Sequence, residues 1–185
     1  MDDKIDAAGF RLFLDKELII NYGGYGVVVR AATGTAQLAV KLMVASQAHI
    51  AAAAIHECQV LSELPAHPNV VRLHSAHVCK GSDPKIRALV AAVSERLATM
   101  DDPIAAHHRI HSPLLPEHDV HLIAYEMLSG RTLFEAVTHR PVPLPKADVR
   151  CLFLQLSHAV AHCHSHGIAH LDLKVSLRSR LDPPP

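Results

Sequence analysis

The chain has 185 residues, 49% apolar and 19% charged, which fits one globular domain with a moderate core and excludes a disordered chain. Lys plus Arg equals Asp plus Glu at 18 each, which argues against a partner held by excess positive charge, such as nucleic acid or an acidic membrane. No apolar run approaches the roughly 18 residues of a membrane span, and the opening residues lack the apolar core of a secretory signal. The cysteines (Cys58, Cys79, Cys151, Cys163) are scattered without CxxC spacing, as reduced thiols would be. A soluble protein of the cytoplasm is expected, with the nucleus not excluded.

Residues 1–14 read as an N-terminal extension. From Glu17 to Met43 the pattern is β: Leu18-Ile19-Ile20 leads into Tyr22-Gly23-Gly24-Tyr25-Gly26, Val27-Val28-Val29 leaves it, and Leu38 to Met43 follows the turn Thr33-Gly34-Thr35. Three short strands with tight turns predict an antiparallel meander. Ser46 is placed to cap a helix through the alanines to Leu64, ended by Pro65, with Ile55, Cys58, Val60, Leu61 and Leu64 as its apolar stripe. Val70 to Val78 and Val120 to Tyr125 read as fourth and fifth strands. Between them, residues 80–118 hold a helix from Ile86 to Met100 and a polar stretch rich in His and Pro. A connection that long reads as an insertion outside the core, dispensable for the fold.

Further on, Thr132 and Glu135 have the form of a capping box opening a short helix. Pro141, Pro143 and Pro145 make a stiff link. Asp148 to His166 then forms a helix with Val149, Leu152, Phe153, Leu156, Ala159, Val160 and Cys163 on one face, and Gly167 stands at its C-terminal left-handed position.

Two features carry chemistry. The glycine-rich turn of Gly23, Gly24 and Gly26 lets backbone N–H groups approach phosphate oxygens, although alone such a turn is usually structural. Lys41 lies mid-strand between apolar neighbours, where an unpaired charge is costly, and Glu57 on the following helix is its natural partner. Singly, each reads more readily as a surface residue.

In order and spacing, Ile20 to Val28, Ala39-Val40-Lys41, Glu57 and His67-Pro68-Asn69-Val70-Val71 together resemble the N-lobe of eukaryotic-type protein kinases. Leu122 to Met127 resembles that family's fifth strand and hinge. Gly167-Ile168-Ala169-His170-Leu171-Asp172-Leu173-Lys174 resembles its catalytic loop, in the form usual for serine/threonine kinases. The resemblance implies an α+β fold: a five-stranded antiparallel sheet plus one helix, then the hinge and first helices of an incomplete helical C-lobe. It covers 15–174 as a partial kinase domain, interrupted by 80–118 and followed by a disordered tail, 175–185.

The resemblance also implies roles. The turn from Asn21 to Gly26 covers the phosphates of ATP, and Lys41 grips the α- and β-phosphates while pairing with Glu57. Backbone groups of Glu126 and Met127 bond the adenine edge, and Tyr125 guards the pocket behind it. Ile20, Tyr22, Gly23, Gly24, Tyr25, Val28 and Ala39 complete the expected ATP-binding set. Asp172 orients the substrate hydroxyl and accepts its proton, and Lys174 neutralises charge on the transferred phosphoryl group. ATP and a protein substrate are the partners implied.

The pattern departs from the family at several places. Asn21 replaces the first glycine of the loop, Leu171 replaces an arginine that holds a phosphorylated activation loop, and Thr132 stands where many relatives carry a ribose-binding carboxylate. After Lys174 the family continues with proline, any residue and an Mg²⁺-binding asparagine, whereas this chain has Val175-Ser176-Leu177 and reaches no DFG aspartate. The chain as written is therefore expected to be a catalytically inactive kinase fragment, without protein ligands for Mg²⁺. Val175-Ser176 is also what an intron donor encodes when read through, so the ending reads as a gene-reading artefact. The alternative is a non-catalytic kinase-like module that binds nucleotide or protein. His158, His162 and His166 share a helix face at metal-binding spacing, but follow the composition of a chain with 16 histidines, and no metal site is expected.

Overall fold

The computed structural model describes residues 4–14, 17–100, 114–128, 132–138 and 144–173. The chain divides into two compact units, Met1–Leu61 with Leu73–Met127, and Ser62–Arg72 with Leu128–Pro185.

The first unit is built on seven antiparallel strands. These are β1 (Lys4–Ala7), β2 (Phe10–Phe13), β3 (Ile19–Gly23), β4 (Gly26–Thr33), β5 (Ala36–Ala45), β6 (Leu73–Lys80) and β7 (Asp119–Glu126). Their spatial order is β1-β2-β4-β5-β7-β6, with β3 also paired to β4. The expected meander is β3, β4 and β5, and the expected fourth and fifth strands are β6 and β7. Two strands exceed the five expected. They form a hairpin in residues 1–14, turning on Ala8 and Gly9 at φ 51° and 80°, and they bring Ala7, Phe10 and Leu12 into the core.

Strand alternation separates two faces of this sheet. Val27, Val29 and Ala31 of β4, Leu38, Val40, Leu42 and Val44 of β5, and Val120, Leu122 and Ala124 of β7 are buried in one apolar cluster. Ile86, Leu89, Val90, Val93 and Leu97 of α2 (Pro84–Ala98) belong to the same cluster. The N-cap Asp83 accepts a hydrogen bond from the Lys85 amide at 2.8 Å, and Pro84 occupies the first turn, where its missing N–H costs nothing. The helix forms close to its expected place, but the expectation that it lies outside the core is corrected, while residues 101–113 of the expected insertion lie outside the described residues. Its apolar residues recur at i, i+3, i+4, i+7 and i+11, and that stripe covers the sheet.

The opposite face carries Lys41 and Met43 of β5 with His121, Ile123 and Tyr125 of β7, and α1 (Ala48–Glu63) reaches it through Glu57. The buried residue of α1 is Ala54, while Ile55, expected in the apolar stripe, is 50% exposed. The first turn bonds back to the Gln47 carbonyl, from Ile50 at 3.0 Å and Ala51 at 3.5 Å, so the helix begins one residue later than a Ser46 cap implies.

In the second unit are α3 (Leu133–Thr138) and α4 (Lys146–Ser165). The side chain of Glu135, on which the expected capping box depends, lies outside the described residues, as do Pro141 and Pro143. The turn at His67-Pro68-Asn69 is tied to α4: Asn69 Nδ2 donates to the Gln155 backbone carbonyl at 3.2 Å, and His162 Nε2 donates to the Pro65 carbonyl at 2.8 Å. The rings of His67 and His162 stack at 4.7 Å between centroids. Along α4 only Leu152 is buried, while Val149, Phe153, Leu154 and Leu156 are exposed. Gly167 takes φ 74° after the helix, as its position requires.

Candidate functional site

The site grows from the register of the sheet. Asn21 of β3 pairs with Val28 of β4, Val28 with Lys41 of β5, and Lys41 with Ile123 of β7, so these positions form a row across four strands. Beside that row Ala39 pairs with Tyr125. The expected residues Asn21, Val28, Ala39, Lys41 and Tyr125 are thus brought together on the sheet, with the loop Gly24-Tyr25 at one end. Ile20 falls in the irregularity between Ile19 and Asn21, where β3 shifts its register on β4. Asn21 Oδ1 accepts from the Tyr22 amide at 2.8 Å, a local bond that glycine could not supply.

The glycines of the turn have different work. A Cβ at Gly23 or Gly24 meets nothing within 4 Å, which leaves the space over the loop open to an approaching ligand. A Cβ at Gly26 would stand 2.4 Å from the Leu42 carbonyl oxygen and 2.9 Å from the Met43 side chain. Gly26 is therefore required by the close approach of β4 to β5. At the tip, the ring of Tyr25 lies edge-on to that of His49 on α1, with centroids 6.4 Å apart.

Lys41 Nζ donates to Glu57 Oε2 at 2.6 Å, across side chains 22% and 31% exposed, so the lysine charge is paired and half withdrawn from water. The other carboxylate oxygen, Oε1, accepts from the Tyr125 hydroxyl. Burial, and then the negative charge of Glu57, push the Tyr125 phenol far above its ordinary range, so it remains a donor. Next to Glu57, Cys58 is raised by burial and by the carboxylate, against the opposing pull of Lys41, and stays a thiol. Sequence reasoning finds Lys41, Glu57 and Tyr125 separately but misses the hydroxyl's bond to Glu57. The available signal is that Tyr125, two residues from Ile123, must share a face with Lys41. Glu126 and Met127 follow at the end of β7, half-buried, with Glu126 paired to Leu38.

In the second unit, the segment expected to form the catalytic loop ends the described part of the chain. Leu171 has φ 58° and is 94% exposed, and the Asp172 amide donates to the His170 carbonyl at 2.8 Å across it. This is a γ-turn with a positive-φ leucine at its centre, a strained form that points to a functional constraint. Asp172 itself is exposed. Lys174 lies outside the described residues. Among the described residues, no group of three or more His, Cys, Asp or Glu is arranged to hold a metal ion, and no helix is long and apolar enough to cross a membrane.

Residues 15–176 match the model of the protein kinase domain, and the chain belongs to that family. Among curated proteins it is similar to calcium/calmodulin-dependent protein kinase type II of Caenorhabditis elegans, 33% identical over 66 residues, 36% of this chain and 9% of the relative. It is similar to CBL-interacting serine/threonine-protein kinase 24 of Arabidopsis thaliana, 42% identical over 52 residues, 28% of this chain and 11% of the relative. Testis-specific serine/threonine-protein kinase 3 of Homo sapiens is 36% identical over 52 residues, 28% of this chain and 19% of the relative. These matches span less than a fifth of each relative's length. They support membership of a serine/threonine kinase family.

Proposed function

We propose that this chain is the ATP-binding part of a serine/threonine protein kinase, which in its full-length form transfers the γ-phosphoryl group of ATP to protein serine or threonine. The observation that carries the reading is the Lys41–Glu57 pair at 2.6 Å, a mid-strand lysine held by a helix carboxylate beside an open glycine turn. In this reading Lys41 holds the α- and β-phosphates, the turn from Asn21 to Gly26 covers them, and backbone groups of Glu126 and Met127 take the adenine edge. Asp172 accepts the proton of the substrate hydroxyl and Lys174 offsets charge on the phosphoryl group. The cytoplasm is the compartment proposed, with neither nucleic acid nor membrane as partner.

Mg²⁺ is the metal implied by the family, and the donor set of the described residues does not fit it. Val175, Ser176 and Leu177 stand where the family has its Pro-x-Asn run, and the described residues offer no acidic cluster in its place. Phosphoryl transfer depends on positioning and on neutralisation of charge by metal, so the side chains of the described residues alone do not make up a complete transfer site.

Titrating the purified chain with a fluorescent ATP analogue tests the reading. Lys41→Met is expected to weaken binding about tenfold, by loss of one charge-assisted contact, while Lys80→Met leaves it unchanged. Equal affinities for the two variants would refute the role of Lys41. With Mg-ATP and a generic serine/threonine substrate, the 185-residue chain is expected to show no phosphoryl transfer above background. Transfer that disappears in Asp172→Ala would overturn that expectation.

A further inference from the structure

Glu57 has two carboxylate oxygens and a different strand holds each. Lys41 on β5 donates to Oε2, and Tyr125 on β7 donates to Oε1. Tyr125 pairs with Ala39 and Lys41 with Ile123, so the two donors are diagonal neighbours on one face of adjacent strands. A carboxylate held by one donor can rotate about its terminal torsion, whereas two donors at fixed positions leave a single orientation. Tyr125 is 8% exposed, so its hydroxyl is withdrawn from water where it meets Glu57. Phenylalanine would fill the same volume and donate nothing.

We infer that Tyr125 is a positioning residue: its hydroxyl fixes the Glu57 carboxylate so that Lys41 is aimed at the nucleotide phosphates before the nucleotide arrives. The inference rests on the ATP-binding reading and adds the side chain that orients its central ion pair. Its effect is transmitted through Glu57 and Lys41, so only ligands that carry phosphates feel it. The phenol stays protonated throughout the neutral range because it is buried against a carboxylate, and so the donor is always present.

The test is a set of binding titrations on the full chain with two probes, ATP and adenosine, for wild type, Tyr125→Phe, Glu57→Gln and the double variant. The expected result is a loss of about three- to tenfold in ATP affinity for Tyr125→Phe, the net size of one ordinary hydrogen bond. Adenosine affinity is expected to stay at the wild-type value. In the Glu57→Gln background the added Tyr125→Phe change is expected to cost nothing further. Equal losses for ATP and adenosine, no loss at all, or a loss that persists beside Glu57→Gln would overturn the inference.

A wild-type chain that binds neither probe instead sinks the ATP-binding reading and the inference with it. Should Tyr125→Phe fail to fold, Tyr125→Met takes its place in the same titrations, since methionine also fills the buried space and donates nothing. The same three outcomes would overturn the inference.

Discussion

The two faces of the central sheet are made from the same strands and differ in almost everything else. The face toward α2 is apolar throughout, filled by Val29, Val40, Leu42 and Leu122 against Leu89 and Val93, all at most 1% exposed. The face toward α1 interrupts its apolar residues with Lys41, His121 and Tyr125 and meets a glutamate. Burying charged and polar groups costs stability unless each is paired, so the first face must supply the folding free energy that the second gives up. The difference teaches that the segment between β6 and β7 is what lets this unit keep a polar face.

The sharpest way to break that comparison is to weaken the α2 face. Leu89 is fully buried, and Leu89→Ala is expected to destabilise the chain by about 2–5 kcal/mol, read as a lower melting temperature. A change within error would return 80–118 to the status of a dispensable insertion. Next in size, Gly26→Ala forces a methyl against the Leu42 carbonyl and is expected to cost about 1–3 kcal/mol, by overpacking. Gly24→Ala is expected to leave the melting temperature unchanged, since its Cβ meets nothing. Equal melting temperatures for the two variants would show that the loop glycines are interchangeable.

A smaller effect is expected from acid. His121 is buried on the polar face, and burial holds its pKa below the ordinary 6.5 against the opposing pull of Asp119. The folded state then binds its proton less readily than the unfolded chain. This contribution is fully present above about pH 6.5 and is lost as pH falls toward the depressed folded value. Unfolding measured from pH 8 to 5 is expected to show a slope that His121→Gln reduces, and identical slopes would remove His121 from the account. Least of all, Lys80→Met breaks the 2.5 Å pair with Asp119 at the rim, where side chains are 68% and 38% exposed, and is expected to leave the melting temperature within error of wild type.

Most of the polar face was legible in the sequence because its signals are local. A glycine turn between apolar runs marked β3 and β4, a lysine inside an apolar strand marked β5, and the short run from Val120 to Tyr125 marked β7. The hairpin of β1 and β2 was not legible, because its turn places Ala8 in the left-handed region, where Asn or Gly is the expected residue. In α1 the run of alanines hid which side faces the sheet, so larger Ile55 drew the stripe although Ala54 is the buried residue. The stripe on α2 was present in the sequence, but its destination depends on a sheet face assembled from strands far away in the chain. The same holds for Tyr125 and Glu57, whose bond joins residues 68 positions apart.

The place of β7 in the sheet also sets an order of assembly. β3 pairs with β4 and β4 with β5 as immediate neighbours in sequence, whereas β7 inserts between β5 and β6 only after α1, β6 and α2 have been made. Pairings that close long loops form slowly, because the chain entropy is lost before the contacts are gained. Tyr125, Glu126 and Met127 all belong to that late strand or its exit, so refolding should recover sheet ellipticity before it recovers affinity for a nucleotide analogue. During synthesis, likewise, the ribosome must release the chain past β7 before the ion pair beside the glycine turn acquires its second support.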